Sequence, residues 1–280
     1  MVQEHVSNVG IDLLKIIINL HKERIFIMSH YNLAVITPEK PTANMLDELL
    51  IPYCEDAEYV PSEYLEFSEV EDIEDYKNFF NDSNNTTKVN GVDTPFNKAY
   101  TSFKDYMEEC EGYTFNEETD TFGFWCNPDA KWDWYVVGGR WNNMLPTKKH
   151  SKVNTCQIKD VDWDINKKNI PRYKREWEVL VEGEKPQNEY EDLLIKNRPF
   201  YHKPEWLLND YGSKENYIHC MSSIITFATL FVDTWYEKGQ MGWFGMSHSE
   251  EGQKDSYREK FSEIISKYPN FWITIVDCHI

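Results

Sequence analysis

Three groups of residues have types and spacings that can do chemistry. The densest is the run from Lys131 to Trp141, KWDWYVVGGRW. In an extended strand, Trp132 and Trp134 share one face and Asp133 and Tyr135 the other. Gly138-Gly139 permits a positive-φ turn or a close approach of backbone to another group. Arg140 then emerges between Trp134 and Trp141, where a guanidinium can stack on indole or grip an anion through two hydrogen bonds. Lys131, Trp132, Asp133, Trp134, Gly138, Gly139, Arg140 and Trp141 together suit a planar anionic ligand of nucleotide type. A structural reading competes closely, because tryptophans are large core residues and Arg140 paired with Asp133 would be a clasp. The Gly-Gly pair is not a phosphate loop, since neither GxGxxG nor GxxxxGK[ST] is present.

The second group is Gln240–Met246, with His248 just beyond. Met241, Gly242 and Trp243 form a tight apolar loop after a strand and could line the same pocket; a glycine turn pinned into the core is equally compatible. The third group is His30, Asp277 and His279. Two imidazoles and a carboxylate can act as general acid and base near neutral pH, or hold a divalent metal with open positions. These residues meet only if the first and last strands pair antiparallel. Cys278 faces the other way and belongs to the core.

The elements that must position these groups follow from periodicity. His30–Thr37 (HYNLAVIT) is a strand, stopped by Pro38 and Pro41. Thr42–Leu50 is a helix, and Val70, Ile73, Tyr76, Phe79 and Phe80 mark the apolar face of another. Residues 81–91 (NDSNNTTKVNG) form a polar, turn-rich and mobile loop. Ala99, Phe103, Tyr106, Met107 and Cys110 mark a further helix. Trp132–Val137 is a strand ending at Gly138-Gly139. Residues 148–204 are charged and irregular, with one helix near Glu189–Lys196. Ser223–Val232 is a buried strand. Lys254–Lys267 is the clearest helix, with Tyr257, Phe261, Ile264, Ile265 and Tyr268 at three- and four-residue steps, and Phe271–Ile280 is the final strand. The fold class is α+β with a mixed or antiparallel sheet. An early strand and a final strand preceded by a helix suggest a ferredoxin-like split β-α-β core. Period two then puts Ile273, Ile275, Asp277 and His279 on one face, with His30 in reach.

Composition bounds the rest. The 280 residues are 41% hydrophobic and 15% aromatic, enough for one large domain. No run approaches the roughly 18 apolar residues that a membrane span needs, and no signal peptide is present. Six widely spaced cysteines without a CxxC pair indicate reduced thiols in a cytoplasm, and the paired spacing of a structural zinc site is absent. The net charge of -19 is concentrated: Glu39 to Asp129 holds 23 acidic and five basic residues. That acidity disfavours nucleic acid and anionic membrane as partners of this half. It reads as a solvated face, or as a DNA-mimicking surface for a basic host protein. One domain, 28–280, with an acidic helical insertion at about 57–120, accounts for the pattern. Residues 1–27 read as an extension, with a short amphipathic helix at 11–18. Lys22-Glu23-Arg24 can be encoded by a tract resembling a ribosome-binding site, which would place the start at Met28.

Six motifs lie in order along the chain: MSHYNLAVIT at 28–37, IPYCED at 51–56, NPDAKWDWYVVGGRW at 127–141, KDVDW at 159–163, WYEKGQMGWFGM at 235–246 and ITIVDCHI at 273–280. In these the chain resembles a family of uncharacterised bacteriophage and bacterial proteins that open with MSHF, carry a KWDWYxxGGRW core and close with VDCHI. The resemblance implies a phage or bacterial cytoplasmic setting and carries no activity. Three functions follow as expectations. The first is a binding protein for a small anionic, nucleotide-type ligand, sequestering a host immune signal. The second is a hydrolase, with or without a metal, using His30, Asp277 and His279. The third is an acidic protein that occupies a basic partner.

Overall fold

The computed structural model describes residues 30–196, 203–241, 247–250 and 252–280. The expectations for residues 1–27, Gly242 and Trp243 fall outside the described residues. The chain divides into two compact units, Pro41–Trp134 and Met1–Lys40 with Tyr135–Ile280.

The larger unit is built on a mixed sheet. Its strands lie in the order Thr155–Gln157, Trp272–His279, His30–Thr37, Ala228–Phe231 and Thr234–Glu237, and Trp134–Val137 also pairs with Trp272–His279. His30–Thr37 runs antiparallel to Trp272–His279 along its whole length, with His30 opposite His279 and Thr37 opposite Trp272. The first and last strand candidates of the sequence therefore pair in the expected sense. The split β-α-β layout does not follow. In a split unit a strand separates the two parallel strands, whereas His30–Thr37 and Ala228–Phe231 are parallel and directly bonded, Leu33 to Ala228 and Ile36 to Phe231.

The two central strands, His30–Thr37 and Trp272–His279, are buried on both faces. Leu33, Ala34, Val35 and Ile36 are all inaccessible, as are Ile275, Val276 and Cys278. Such strands read as nearly continuous apolar runs, which is how HYNLAVIT and WITIVDCH read. One face carries Ala34, Ile36, Ile273 and Ile275 against the helix Gln253–Lys267, which buries Tyr257, Phe261 and Ile264 at steps of four and three. The Tyr257 hydroxyl meets Thr226 Oγ1 at 3.0 Å and Thr229 Oγ1 at 2.9 Å, all three residues buried. Burial pushes this phenol up to about 12, so the hydroxyl keeps its proton at neutral pH. Tyr257→Phe leaves the ring packed but strands two threonine hydroxyls, and is expected to cost about 1–3 kcal/mol in chemical denaturation. An unchanged midpoint would show that the triad contributes nothing.

The irregular stretch expected at 148–204 is more ordered than its composition suggests. Ile170–Leu180 is an 11-residue helix, and Tyr173, Trp177 and Leu180 pack with Leu207 and Tyr217 from the following helices Pro204–Tyr211 and Lys214–Ser222. Charged residues between the apolar positions masked their spacing of four and three. The helix Glu189–Lys196 lies where the sequence places it. The Ser223–Val232 strand shortens to Ala228–Phe231.

The unit Pro41–Trp134 includes the stretch expected at 57–120 and contains both helices and strands. It holds 23 acidic and five basic residues. Its helices are Ala43–Leu50, capped by Thr42 Oγ1, together with Ile73–Asn81, Phe96–Ala99 and Phe103–Glu109. Ser102 caps the last of these, so Ala99 belongs to a separate helix from Phe103. A three-stranded sheet of Glu66–Glu69, Thr121–Cys126 and Thr114–Asn116 accompanies them. The loop expected at 81–91 contains part of a hairpin, Thr86–Val89 with Val92–Pro95. Its two turn residues are Asn90 and Gly91, at φ 51° and 81°. Asn-Gly is the favoured pair for that positive-φ turn. Phe80, Tyr106 and Met107 form the buried centre, ringed by further aromatics.

All six cysteines are free. No helix among the described residues is long and apolar enough to cross a membrane.

Candidate acid–base site at the end of the sheet

On the face that packs against the C-terminal helix, the paired strands change character toward one end. Ile36 faces Ile273 and Ala34 faces Ile275, all in the apolar core. The next two pairs on that face are Asn32 with Asp277 and His30 with His279. A face that begins as core thus ends in ionisable groups, still buried: Asp277 is 2% and His279 5% exposed, and the His30 side chain 4%. Asn32 is held by its own contacts, accepting from Phe227 N at 2.7 Å through Oδ1.

His30 Nδ1 lies 2.8 Å from Asp277 Oδ1. The other carboxylate oxygen, Oδ2, accepts the backbone N–H of Arg140 at 2.8 Å. With both oxygens accepting, Nδ1 of His30 is the protonated nitrogen, and any proton exchange is directed to Nε2. The His30 and His279 rings meet edge to face, with centroids 5.0 Å apart.

The glycine pair makes the Arg140 contact possible. Gly138 sits at φ 80° and Gly139 at φ 46°, a region that side chains disfavour. A β-carbon on Gly139 would stand 2.5 Å from Asp277 Cβ and 2.8 Å from Cγ, so only glycine lets the turn reach the carboxylate. Gly138 N donates to Ile275 O at 2.9 Å, fastening the turn to the C-terminal strand. Asn154 holds its far side. Its Oδ1 accepts from Asn143 N, its Nδ2 donates to Asn142 Oδ1 at 2.9 Å, and its carbonyl accepts Ile275 N at 2.8 Å. Asn154 is a positioning residue with no signal in the sequence, since its role depends on three segments meeting.

The predicted site residues therefore separate. His30, Asp277, His279, Gly139 and the Arg140 backbone come together. Lys131, Trp132, Asp133 and Trp134 belong to the acidic unit, and Gly138, Gly139, Arg140 and Trp141 to the other. The strand begins only at Trp134, so Trp132 and Trp134 do not share a strand face. Trp132 is buried and donates its indole N–H to Leu50 O at 3.1 Å, while Lys131 N donates to Tyr53 O at 2.8 Å. Asp133 Oδ1 accepts Trp134 N at 2.7 Å. Trp141 packs against the main core. Arg140 is an exposed residue and belongs to a different unit from Asp133. Its backbone N–H makes the contact with Asp277. Met241 is half-buried in a two-residue pairing with Ser247.

Among the described residues, no group of three or more His, Cys, Asp and Glu could hold a metal ion. In the sheet-end group, both Asp277 oxygens already accept hydrogen bonds. No protein-family model, curated protein or solved structure matches the chain.

Proposed function

We propose that the chain is a hydrolase that performs acid–base chemistry at the sheet end on a small anionic substrate of nucleotide type. The observation that carries this is the His30–Asp277 pair, with the carboxylate pinned from its other side by Arg140 N–H. A carboxylate on Nδ1 orients an imidazole, fixes its tautomer and stabilises the imidazolium that forms when Nε2 takes a proton. His30 Nε2 is buried, so the reaction requires water and substrate to enter the sheet end; there it accepts a proton from water as the water oxygen bonds to the electrophilic centre, then returns that proton to the leaving group as the scissile bond breaks. Arg140, projecting from the rigid glycine turn, supplies the positive charge that meets the anion. In a bacteriophage setting, such a substrate would be a host nucleotide signal.

The test is turnover of a panel of phosphomonoesters, phosphodiesters and cyclic nucleotides by the native chain and by His30→Gln. The variant is expected to lose a factor of about 10² to 10⁴ in kcat while its circular dichroism is unchanged. Arg140→Ala is expected to act mainly on KM. No turnover of any panel member by the native chain, or a His30→Gln enzyme of undiminished rate, would overturn the proposal. A second reading is favoured by the burial of all three side chains: the pair is a structural clasp that ties the first strand, the last strand and the glycine turn together.

A further inference from the structure

The acidic unit contains a cavity of about 300 Å³ that the sheet-end chemistry does not use, lined by Asp75, Tyr76, Phe79, Tyr106 and Glu111. Asp75, Tyr76 and Phe79 lie on one side of the helix Ile73–Asn81, because residues three and four apart are neighbours on a helix surface. Tyr106 comes from the helix Phe103–Glu109 and Glu111 from the turn after it. The rings are held in place by their own contacts. Tyr106 is fully buried and donates its hydroxyl to the Glu111 carboxylate. The Tyr76 and Tyr113 hydroxyls meet at 3.0 Å, and the Phe79 ring leans on Phe96 at 5.4 Å. Yet Phe79 remains 44% exposed, a large apolar ring at the mouth of the cavity.

Charge around this cavity is one-sided. Asp75 and Glu111 make no ion pair among the described residues, in a unit with 23 acidic against five basic side chains. The Tyr113 hydrogen bond, and then burial, push Tyr76 up to about 12, and burial with Glu111 pushes Tyr106 higher still. Both phenols therefore stay neutral at ordinary pH. The charged groups that line the cavity are two carboxylates, set beside aromatic rings. An anion is repelled there. A hard divalent ion needs a shell of oxygens, and most of this lining is aromatic carbon. A cation that carries its charge on an apolar surface satisfies both parts, through ring faces for its methyl groups and carboxylates for its charge. A volume at the small end of the range for ligand pockets suits a single head group.

We propose that this cavity binds an alkylammonium group, either a free quaternary ammonium compound or the N-methylated lysine of a partner protein. Phe79 and the half-buried Tyr76 offer ring surface to the methyl groups over the buried Tyr106, and Asp75 and Glu111 supply the countercharge. Binding here is independent of His30 and Asp277, so each proposal can fail without the other.

The experiment is a proton NMR titration of the full chain with choline and with its uncharged isostere 3,3-dimethylbutan-1-ol. Choline is expected to bind, with its methyl protons moved upfield by the ring currents, and the alcohol to bind at least about tenfold more weakly. Asp75→Asn and Phe79→Ala, both at exposed positions, are each expected to weaken choline binding by about fivefold or more with no change in circular dichroism. A trimethyl-lysine peptide that binds tighter than choline supports the protein-borne source, and equal binding the free one. The proposal is overturned if choline does not bind in the millimolar range, if the alcohol binds equally well, or if Asp75→Asn leaves binding unchanged.

Discussion

Asp277→Ala is expected to lower the free energy of unfolding by about 2–5 kcal/mol, the cost of leaving two hydrogen-bond donors without their shared acceptor. The side chain is 2% exposed and accepts from His30 Nδ1 and Arg140 N, both at 2.8 Å. Its loss leaves two donors on different segments without this acceptor, and each donor left unsatisfied in a buried setting costs about 1–3 kcal/mol. Urea denaturation of the variant measures this, and a loss below about 1 kcal/mol would show that neither contact supports the fold. Asp277→Asn separates the two readings of the site. The amide can accept from Arg140 N–H through Oδ1 and donate to His30 Nδ1 through Nδ2, so most of the stability is retained. That arrangement forces the proton of His30 onto Nε2, the nitrogen that must act as base. A base held in the wrong tautomer loses roughly 10⁴ in kcat in the best-known example of such a pair. A stable Asp277→Asn chain with full turnover would therefore remove His30 from the mechanism, while a stable and inactive one would exclude a purely structural clasp.

Gly139→Ala is expected to cost about 3 kcal/mol, against about 1 kcal/mol for Gly91→Ala. Both glycines have positive φ, so the backbone term is shared. They differ in what a methyl group would meet. At Gly91 there is nothing within 4 Å, whereas at Gly139 the new carbon falls on the Asp277 carboxylate. Relief there requires the turn to withdraw, which breaks the Arg140 N–H bond and frees the carboxylate to swing from His30. The difference between the two denaturation midpoints is the measurement. Equal losses would show that Gly139 serves only its φ angle, and that the turn does not need its close approach.

The sequence by itself determined parity and element type in this protein. Alternation placed Asp277 and His279 on one face of the last strand, and pairing the first and last strands brought His30 to them, as observed. The steps of four and three at Tyr257, Phe261 and Ile264 were enough to locate the C-terminal helix. The Asn90-Gly91 hairpin turn was not read as such, because the polar residues around it read as a loop. Tertiary structure alone decided which partner each face meets. KWDWYVVGGRW looked like one site because its residues are consecutive, but the boundary between two units falls inside it, and Trp132 answers to Leu50. Arg140 was singled out for its guanidinium, yet its backbone N–H makes the contact, and a backbone group has no sequence signature. Asn154 and the ring of Tyr76, Phe79 and Tyr106 owe their roles to segments distant along the chain. The physical reason is the same in each case. Periodicity reports the direction in which a side chain leaves its own element, while long-range packing selects what stands there to receive it.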